Sequence, residues 1–258
     1  MKAVSGEIDW SRVPAAIWRA KSGRLRAVHR LDSIGLQDLL GVDRQKKLVC
    51  ENTERFLQGL PANNALLWGA RGTGKSSVIK ALLNAYFDQG LRVIQIDKED
   101  LIDLPEIVDD IRELPQKFIV FCDDLSFDEG DSTYKALKSV LEGSIELPPE
   151  NVLIYATSNR RHLMPEYMED NEQSHVVGTE IHHAEAIEEK ISLSDRFGLW
   201  LSFYAITQDE YLAIVDQLFP QTKDRQPLHA EAVRFALSKG GRSGRAAQQF
   251  YRMYSQQF

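Results

Sequence analysis

The chain has 258 residues, 43% hydrophobic and 27% charged, a mixture that excludes wholesale disorder and a disulfide-built miniprotein. At about 150 residues per domain, this length suits one large domain with a small appendage. The net charge is −7, yet residues 18–30 carry Arg19, Lys21, Arg24, Arg26 and Arg30 without an acid, which leaves −12 on the remainder.

An acidic body repels a nucleic-acid backbone, so such contact is expected only through a basic arm over residues 19–30. The simpler reading of that arm is solvated charge beside two buried tryptophans, Trp10 and Trp18. The longest apolar runs end after five residues, at Cys122 and Ala156, far short of the ~18 needed to cross a bilayer. The first seven residues lack the apolar core of a signal peptide. Cys50 and Cys122 are too few for a disulfide framework or a closed zinc site. A reducing, cytoplasmic setting away from membranes is expected.

In chain order, the arm over 1–30 precedes a helix over Asp43–Leu57, with Asp43 as its cap and Leu48, Asn52 and Phe56 at helical spacing. Three apolar runs without alternation follow: Ala65-Leu66-Leu67-Trp68, Phe118-Ile119-Val120-Phe121-Cys122 and Val152-Leu153-Ile154-Tyr155-Ala156. Such runs suit strands buried on both faces of a parallel sheet. Residues 92–96 and 199–206 are expected as two more strands, with helical stretches between. The acid-rich stretch 97–113, with eight acids and two bases, reads as a wet helix face. The alternation predicts an α/β, three-layer sandwich around a parallel five-stranded sheet over 31–206, with ligands at the carboxyl ends of the strands. At Thr207-Gln208-Asp209-Glu210 a capping box opens an all-helical domain over 207–258.

Gly69-Ala70-Arg71-Gly72-Thr73-Gly74-Lys75-Ser76 fits the phosphate-loop pattern G-x-x-x-x-G-K-[ST] between a buried strand and a helix that Ser77 opens. Glycines let successive amides curl around a phosphate, and the helix start adds partial positive charge. Lys75 would reach the β- and γ-phosphates, and Ser76 would bind Mg²⁺. Asp123 and Asp124 follow the second apolar run. Asp123 is assigned to magnesium and Asp124 to polarising water, on the expectation that neighbours on an extended strand point to opposite sides. Ser77 stands where a dinucleotide loop needs its third glycine, and no guanine-reading N-K-x-D motif is visible, so ATP is the expected nucleotide. Cys122 reads as a small strand residue without an activating base.

With these Walker A and Walker B motifs the chain resembles the AAA+ ATPases, and three later motifs extend the likeness. Ala156-Thr157-Ser158-Asn159-Arg160 is similar to the family's sensor 1, which implies that Asn159, with Thr157 as second choice, contacts the γ-phosphate or its water. Ser194-Asp195-Arg196-Phe197-Gly198 resembles the arginine-finger box, which places Arg196 against a neighbouring subunit's nucleotide and implies a homo-oligomer. Gly241-Arg242-Ser243-Gly244-Arg245-Ala246-Ala247 resembles the sensor 2 helix start, with Arg245 as the match and Arg242 in reserve. The strings Glu51-Asn52-Thr53-Glu54-Arg55-Phe56-Leu57, Phe121-Cys122-Asp123-Asp124-Leu125-Ser126-Phe127 and residues 193–203 look like a bacterial AAA+ family known as "domain of unknown function eight-one-five". The resemblance covers residues 31–258.

It implies a Mg-dependent ATP hydrolase that couples binding or hydrolysis to remodelling or loading of a protein or nucleic-acid partner. The alternative is an ATP-gated switch with negligible turnover. Most AAA+ proteins have Asp-Glu where this chain has Asp123-Asp124, which favours slow hydrolysis. Asp97-Lys98-Glu99-Asp100-Leu101 lacks the aromatic-glycine pore loop of protein-threading machines. A small-molecule kinase is disfavoured by the sensor and finger motifs. The connection 161–190 is a candidate partner-binding loop. Its His182-His183 pair reads as polar loop rather than metal site.

Overall fold

A computed structural model of the chain describes residues 8–127, 133–142, 147–161, 163, 193 and 195–258. The strands are β1 (Ala15–Arg19), β2 (Arg24–Val28), β3 (Ala65–Gly69), β4 (Leu91–Ile96), β5 (Lys117–Cys122), β6 (Val152–Ser158) and β7 (Leu199–Phe203). The helices are α1 (Asp43–Leu57), α2 (Lys75–Tyr86), α3 (Leu104–Ile111), α4 (Tyr134–Glu142), α5 (Gln208–Leu218), α6 (Arg225–Ser238) and α7 (Gly244–Tyr254). One sheet of seven strands runs in the order β2-β1-β4-β5-β6-β3-β7, parallel except for β2, which pairs antiparallel with β1.

The five expected strands, three from the apolar runs and two at 92–96 and 199–206, form the β4-β5-β6-β3-β7 part of this sheet, with β7 ending at Phe203. Their alternate side chains feed two cores, as period-two geometry requires of strands covered on both faces. Leu66, Ile94, Phe118, Val120, Cys122 and Ile154 pack with α3 and α4. Leu67, Val93, Ile119, Phe121, Leu153 and Tyr155 pack with α1 and α2. That makes three layers.

The amino-terminal segment departs from the expected arm. Trp10 and Trp18 are buried, and β1 and β2 add a hairpin beside β4. Buried Arg92 ties this segment down, its Nε donating to the Trp10 carbonyl at 2.6 Å, while the Trp18 indole donates to Asp103 at 2.9 Å. The charge run concealed the hairpin because Leu25 stands between the exposed Arg24 and Arg26, and β1 ends on the exposed Arg19. The stretch 97–113 contains α3, whose Leu104, Ile107, Val108 and Ile111 are buried beneath its acidic face. In α1, Asp43 is the first helical residue rather than the cap, and Val49, Asn52, Thr53 and Phe56 face inward.

Helices α5 to α7 enclose a separate core of Tyr211, Val215, Leu228, Phe235 and Phe250. The capping box at the start of α5 forms as read: Glu210 N–H donates to Thr207 Oγ1 at 3.2 Å, and Thr207 N–H to Glu210 Oε2 at 2.7 Å. Among the described residues no helix is long and apolar enough to cross a membrane.

One polar knot sits inside the sandwich. The hydroxyl of Tyr155, 0% exposed, meets Asn52 Nδ2 at 2.8 Å and Thr53 Oγ1 at 3.0 Å, joining β6 to α1. Tyr155→Phe strands one buried amide hydrogen of Asn52, so urea denaturation should show a loss of about 1–2 kcal/mol.

Candidate functional site: a phosphate loop facing two aspartates

The carboxyl ends of β3, β5 and β6 meet where β3 runs into α2. The loop between them owes its shape to three glycines with positive φ: Gly69 at 135°, Gly72 at 78° and Gly74 at 97°. They serve different ends. A Cβ on Gly69 would lie 1.9 Å from the Phe203 carbonyl of β7, so this glycine is required by the sheet. A Cβ on Gly74 would meet nothing within 4 Å, so there only the backbone conformation demands glycine.

Gly74 is also the amino-terminal cap of α2 and supplies no side-chain acceptor, whereas Thr207, Asp224 and Ser243 cap α5, α6 and α7. The first amides of α2, at Lys75, Ser76 and Ser77, therefore face the loop without a side-chain partner, the arrangement that suits an anion. Helix α2 begins at Lys75, two residues before the start expected from the sequence.

Lys75 is buried, and its three ammonium hydrogens find Gly69 O at 2.7 Å, Ala70 O at 2.8 Å and Asn159 Oδ1 at 3.2 Å. Burial pulls its pKa below the usual lysine value, opposed by the charges of Asp123 and Asp124 and assisted by Arg71 and Arg245. Ser76 Oγ donates to Asp123 Oδ1 at 2.7 Å. A hydroxyl and a carboxylate meeting in this way form the small hard-oxygen pair that Mg²⁺ takes from a protein when phosphates and water complete its shell. The loop and this pair fit a nucleotide triphosphate with its metal.

Asp123 and Asp124 lie beyond the end of β5 in a turn, not on extended strand as expected, and Asp124 has φ 56°. The turn still separates their surroundings. Asp123 faces Ser76 and Thr157, while Asp124 accepts from Asn159 Nδ2 and lies 3.8 Å from Arg71 Nη2. Asn159 thus joins the lysine to the second aspartate, its amide oxygen to one and its nitrogen to the other.

Thr157 has a place in the site that the sequence reading assigned only as a substitute for Asn159. Its hydroxyl donates to Asp123 Oδ1 at 2.5 Å and accepts Asp124 N–H at 3.0 Å, and the residue is 1% exposed. The signal was present in its register, two residues before Asn159 on an inward-facing strand position.

Two expected contributors approach from farther away. A Cβ on Gly72 would lie 2.9 Å from Ser243 Cβ and 3.8 Å from Arg245 Cβ, so the start of α7 rests on the loop and brings Arg245 near Lys75. Arg242 instead reaches Gln208 at 3.4 Å. Arg196 pairs with Glu142 of α4 within the chain. Ser194, His182-His183 and most of the 161–190 connection lie outside the described residues. Buried Cys122 has its thiol pushed up by burial and by Asp123, which fits the strand-residue reading.

A mostly parallel sheet covered by helices on both faces, a phosphate-type loop facing paired aspartates and a helical carboxyl-terminal region at the loop define an α/β protein of phosphate-loop type. Its fold is similar to that of Thermotoga maritima RuvB. A Lys-to-Arg variant of RuvB superposes with a TM-score of 0.50 at 13% identity, covering 86% of this chain and 72% of that one. The "RuvB Holliday junction branch migration motor" gives 0.48 at 13% identity, with 85% and 71% covered. The chain belongs to the family described as "Protein of unknown function (DUF815)", whose model matches residues 11–258. No curated protein matches it in sequence.

The two glycines separate stability from ligand binding. Gly69→Ala forces a methyl into a neighbouring carbonyl and should lower stability by about 1–3 kcal/mol in denaturant titrations. Gly74→Ala should cost about 1 kcal/mol and act mainly on nucleotide affinity measured by calorimetry.

Proposed function

We propose that the protein is a Mg-dependent ATP hydrolase whose nucleotide lies between the phosphate loop and helix α7. The reading is carried by one contact, Ser76 Oγ against Asp123 Oδ1 at 2.7 Å, beneath the uncapped start of α2. Amides of residues 72–77 would wrap the phosphates. Lys75 would exchange at least one of its three present acceptors for phosphate oxygen, and Asn159 is the exchangeable one because it is a side chain. Ser76 and Asp123 would hold Mg²⁺, which supplies neutralisation of phosphate charge when bound. Asp124 would orient the attacking water once Asn159 and Arg71 turn toward the nucleotide. Arg245 would meet the phosphates from the lid. Arg196 of an adjacent subunit would stabilise the transferred phosphoryl group, its guanidinium offering a permanently charged planar fork.

Turnover in this scheme requires association, and the energy would drive remodelling or loading of a macromolecular partner. Calorimetry with Mg-ATP should show binding that Lys75→Ala abolishes. Arg196→Ala should keep binding while steady-state hydrolysis falls about 10³-fold. Mixing the two inactive variants should restore activity, because one supplies the site and the other the finger. No heat of binding for folded wild-type protein overturns the nucleotide reading, and no recovery on mixing overturns the finger in trans.

A second reading has its own support. Asp124 is already engaged by Asn159 and Arg71 and is one methylene shorter than glutamate, which favours an ATP-gated switch that binds tightly and turns over little. In such a switch the partner selects one lid position. Hydrolysis no faster in wild type than in Asp124→Ala, with binding intact, selects this reading.

Thr157 tests the metal pair under either reading. Thr157→Val keeps the shape but removes the hydroxyl between the aspartates. It should raise the Mg²⁺ concentration needed for half-maximal ATP binding about tenfold or more, one hydrogen bond to a charged group being worth about 1.5–3 kcal/mol.

A further inference from the structure

The hairpin β1–β2 gathers the chain's uncompensated positive charge on an exposed edge of the sheet. β2 is the end strand, with no neighbour beyond it among the described residues. Arg19, Lys21, Arg24, Arg26 and Arg30 are all exposed. The register sets Arg19 opposite Arg24 and Ile17 opposite Arg26, so three of these arginines project from one face of the hairpin. Like charges placed directly opposite across two strands cost stability, which folding alone gives no reason to keep. None of the five forms an ion pair within 4.0 Å among the described residues.

The acidic segment 97–103 packs by Leu101 on the opposite face of the hairpin, with Trp18. Asp100 is within electrostatic range of Arg19, which sits opposite Arg24, while Arg26 lies two residues farther along β2 and Arg30 beyond its end. On β2, Arg24 and Arg26 stand about 7 Å apart on one face, close to the spacing of successive phosphates along one strand of a duplex, and Arg30 follows two residues beyond the strand end. Four of the five cations are arginines, whose forks pair with phosphate oxygens in bidentate fashion. The one aromatic residue of the hairpin, Trp18, is 3% exposed and offers no stacking platform for unpaired bases.

We propose that the β1–β2 hairpin is a docking edge for the phosphate backbone of a nucleic-acid duplex, read without regard to base sequence. It supplies a partner class for the ATPase reading and rests on that reading only for what the contact is used for. An acidic peptide would satisfy the charge, but a face set with arginine forks at Arg19, Arg24 and Arg26 fits phosphate oxygens better. The remainder of the chain, at −12, confines the contact to this edge and orients it.

Fluorescence anisotropy with a labelled mixed-sequence DNA duplex of about three helical turns tests the proposal. Wild-type protein should bind it saturably at low salt, with a log–log salt slope of about −3 to −4 for roughly four phosphate contacts. Arg24→Glu with Arg26→Glu should weaken binding at least about tenfold and flatten the slope by about two. The milder Arg24→Gln with Arg26→Gln should move both in the same direction. Lys223→Glu with Arg252→Glu, an equal charge change on the helical domain, should keep the affinity.

Absence of duplex binding by wild type at low salt overturns the proposal. So does an equal loss in the helical-domain variant, or better competition by single-stranded DNA or polyglutamate than by duplex. Calorimetry with Mg-ATP on the same variants separates the two claims. Arg24→Glu with Arg26→Glu should leave nucleotide binding unchanged, and failed ATP binding by wild type would leave the duplex result standing.

Discussion

The site depends on closing a gap between two strands that are not neighbours. β3 carries the phosphate loop and β5 delivers Asp123, but β6 lies between them, so the two backbones are about 9.5 Å apart. The first turn of α2 closes the gap from above by carrying Ser76 across to Asp123. Thr157 fills it from the middle, on the intervening strand, where its hydroxyl gives its proton to one aspartate and its lone pair to the amide of the next. The register allows this because Thr157 pairs with Leu67 on one side, while Ala156 pairs with Cys122 on the other. A shift of one residue would turn the hydroxyl to the opposite face of the sheet.

Charge then decides which groups are committed and which are available. A buried ammonium needs acceptors, and Lys75 has three, two of them backbone carbonyls of its own loop. The loop is thus held in shape by Lys75, whose third acceptor, the Asn159 side chain, is the exchangeable one. Asn159 is a neutral relay between this lysine and Asp124, so a change at either charge reaches the other without a new ion pair being buried. Neutrality matters here, because a second cation at that position would add to the burial that already lowers the pKa of Lys75.

The central sheet was legible because both-face burial writes itself as short uninterrupted apolar runs, as at Phe118-Ile119-Val120-Phe121-Cys122. The loop was legible because positive φ admits few residues besides glycine and because the lysine follows at fixed spacing. The hairpin was not, since the residues of its strands that are exposed are the arginines Arg19, Arg24 and Arg26, and its pairing with β4 spans more than seventy positions of sequence. The turn at Asp124 escaped for a related reason. An aspartate tolerates left-handed backbone, so nothing in its identity reveals that the strand has ended one residue before Asp123. The pairing of Arg196 with Glu142 joins residues with no shared local pattern, and only folding selects Glu142 from the acids available.

The helical domain bears on the site through side chains rather than through its backbone. Its core is its own, built around Tyr211, Phe235 and Phe250, and the Tyr211 hydroxyl is satisfied internally by Ala232 O at 3.0 Å. Its apolar interior is therefore closed within these helices rather than shared with the sheet. Where α7 meets the loop, Ser243 caps the helix by accepting Ala246 N–H at 3.1 Å, which removes one of the free amides that an anion would seek. The start of α2 has no such cap. Two helix starts thus approach one loop with different equipment, one offering bare amides and the other a charged side chain, Arg245. In the proposed ATPase scheme an anion fixed by the first would sit at a constant place on the sheet, whereas its distance to the second would vary with lid angle. Under the ATPase reading, that inequality makes the lid a reporter of phosphate charge: each phosphate lost removes part of what draws Arg245 inward, while the grip of α2 on what remains is unchanged.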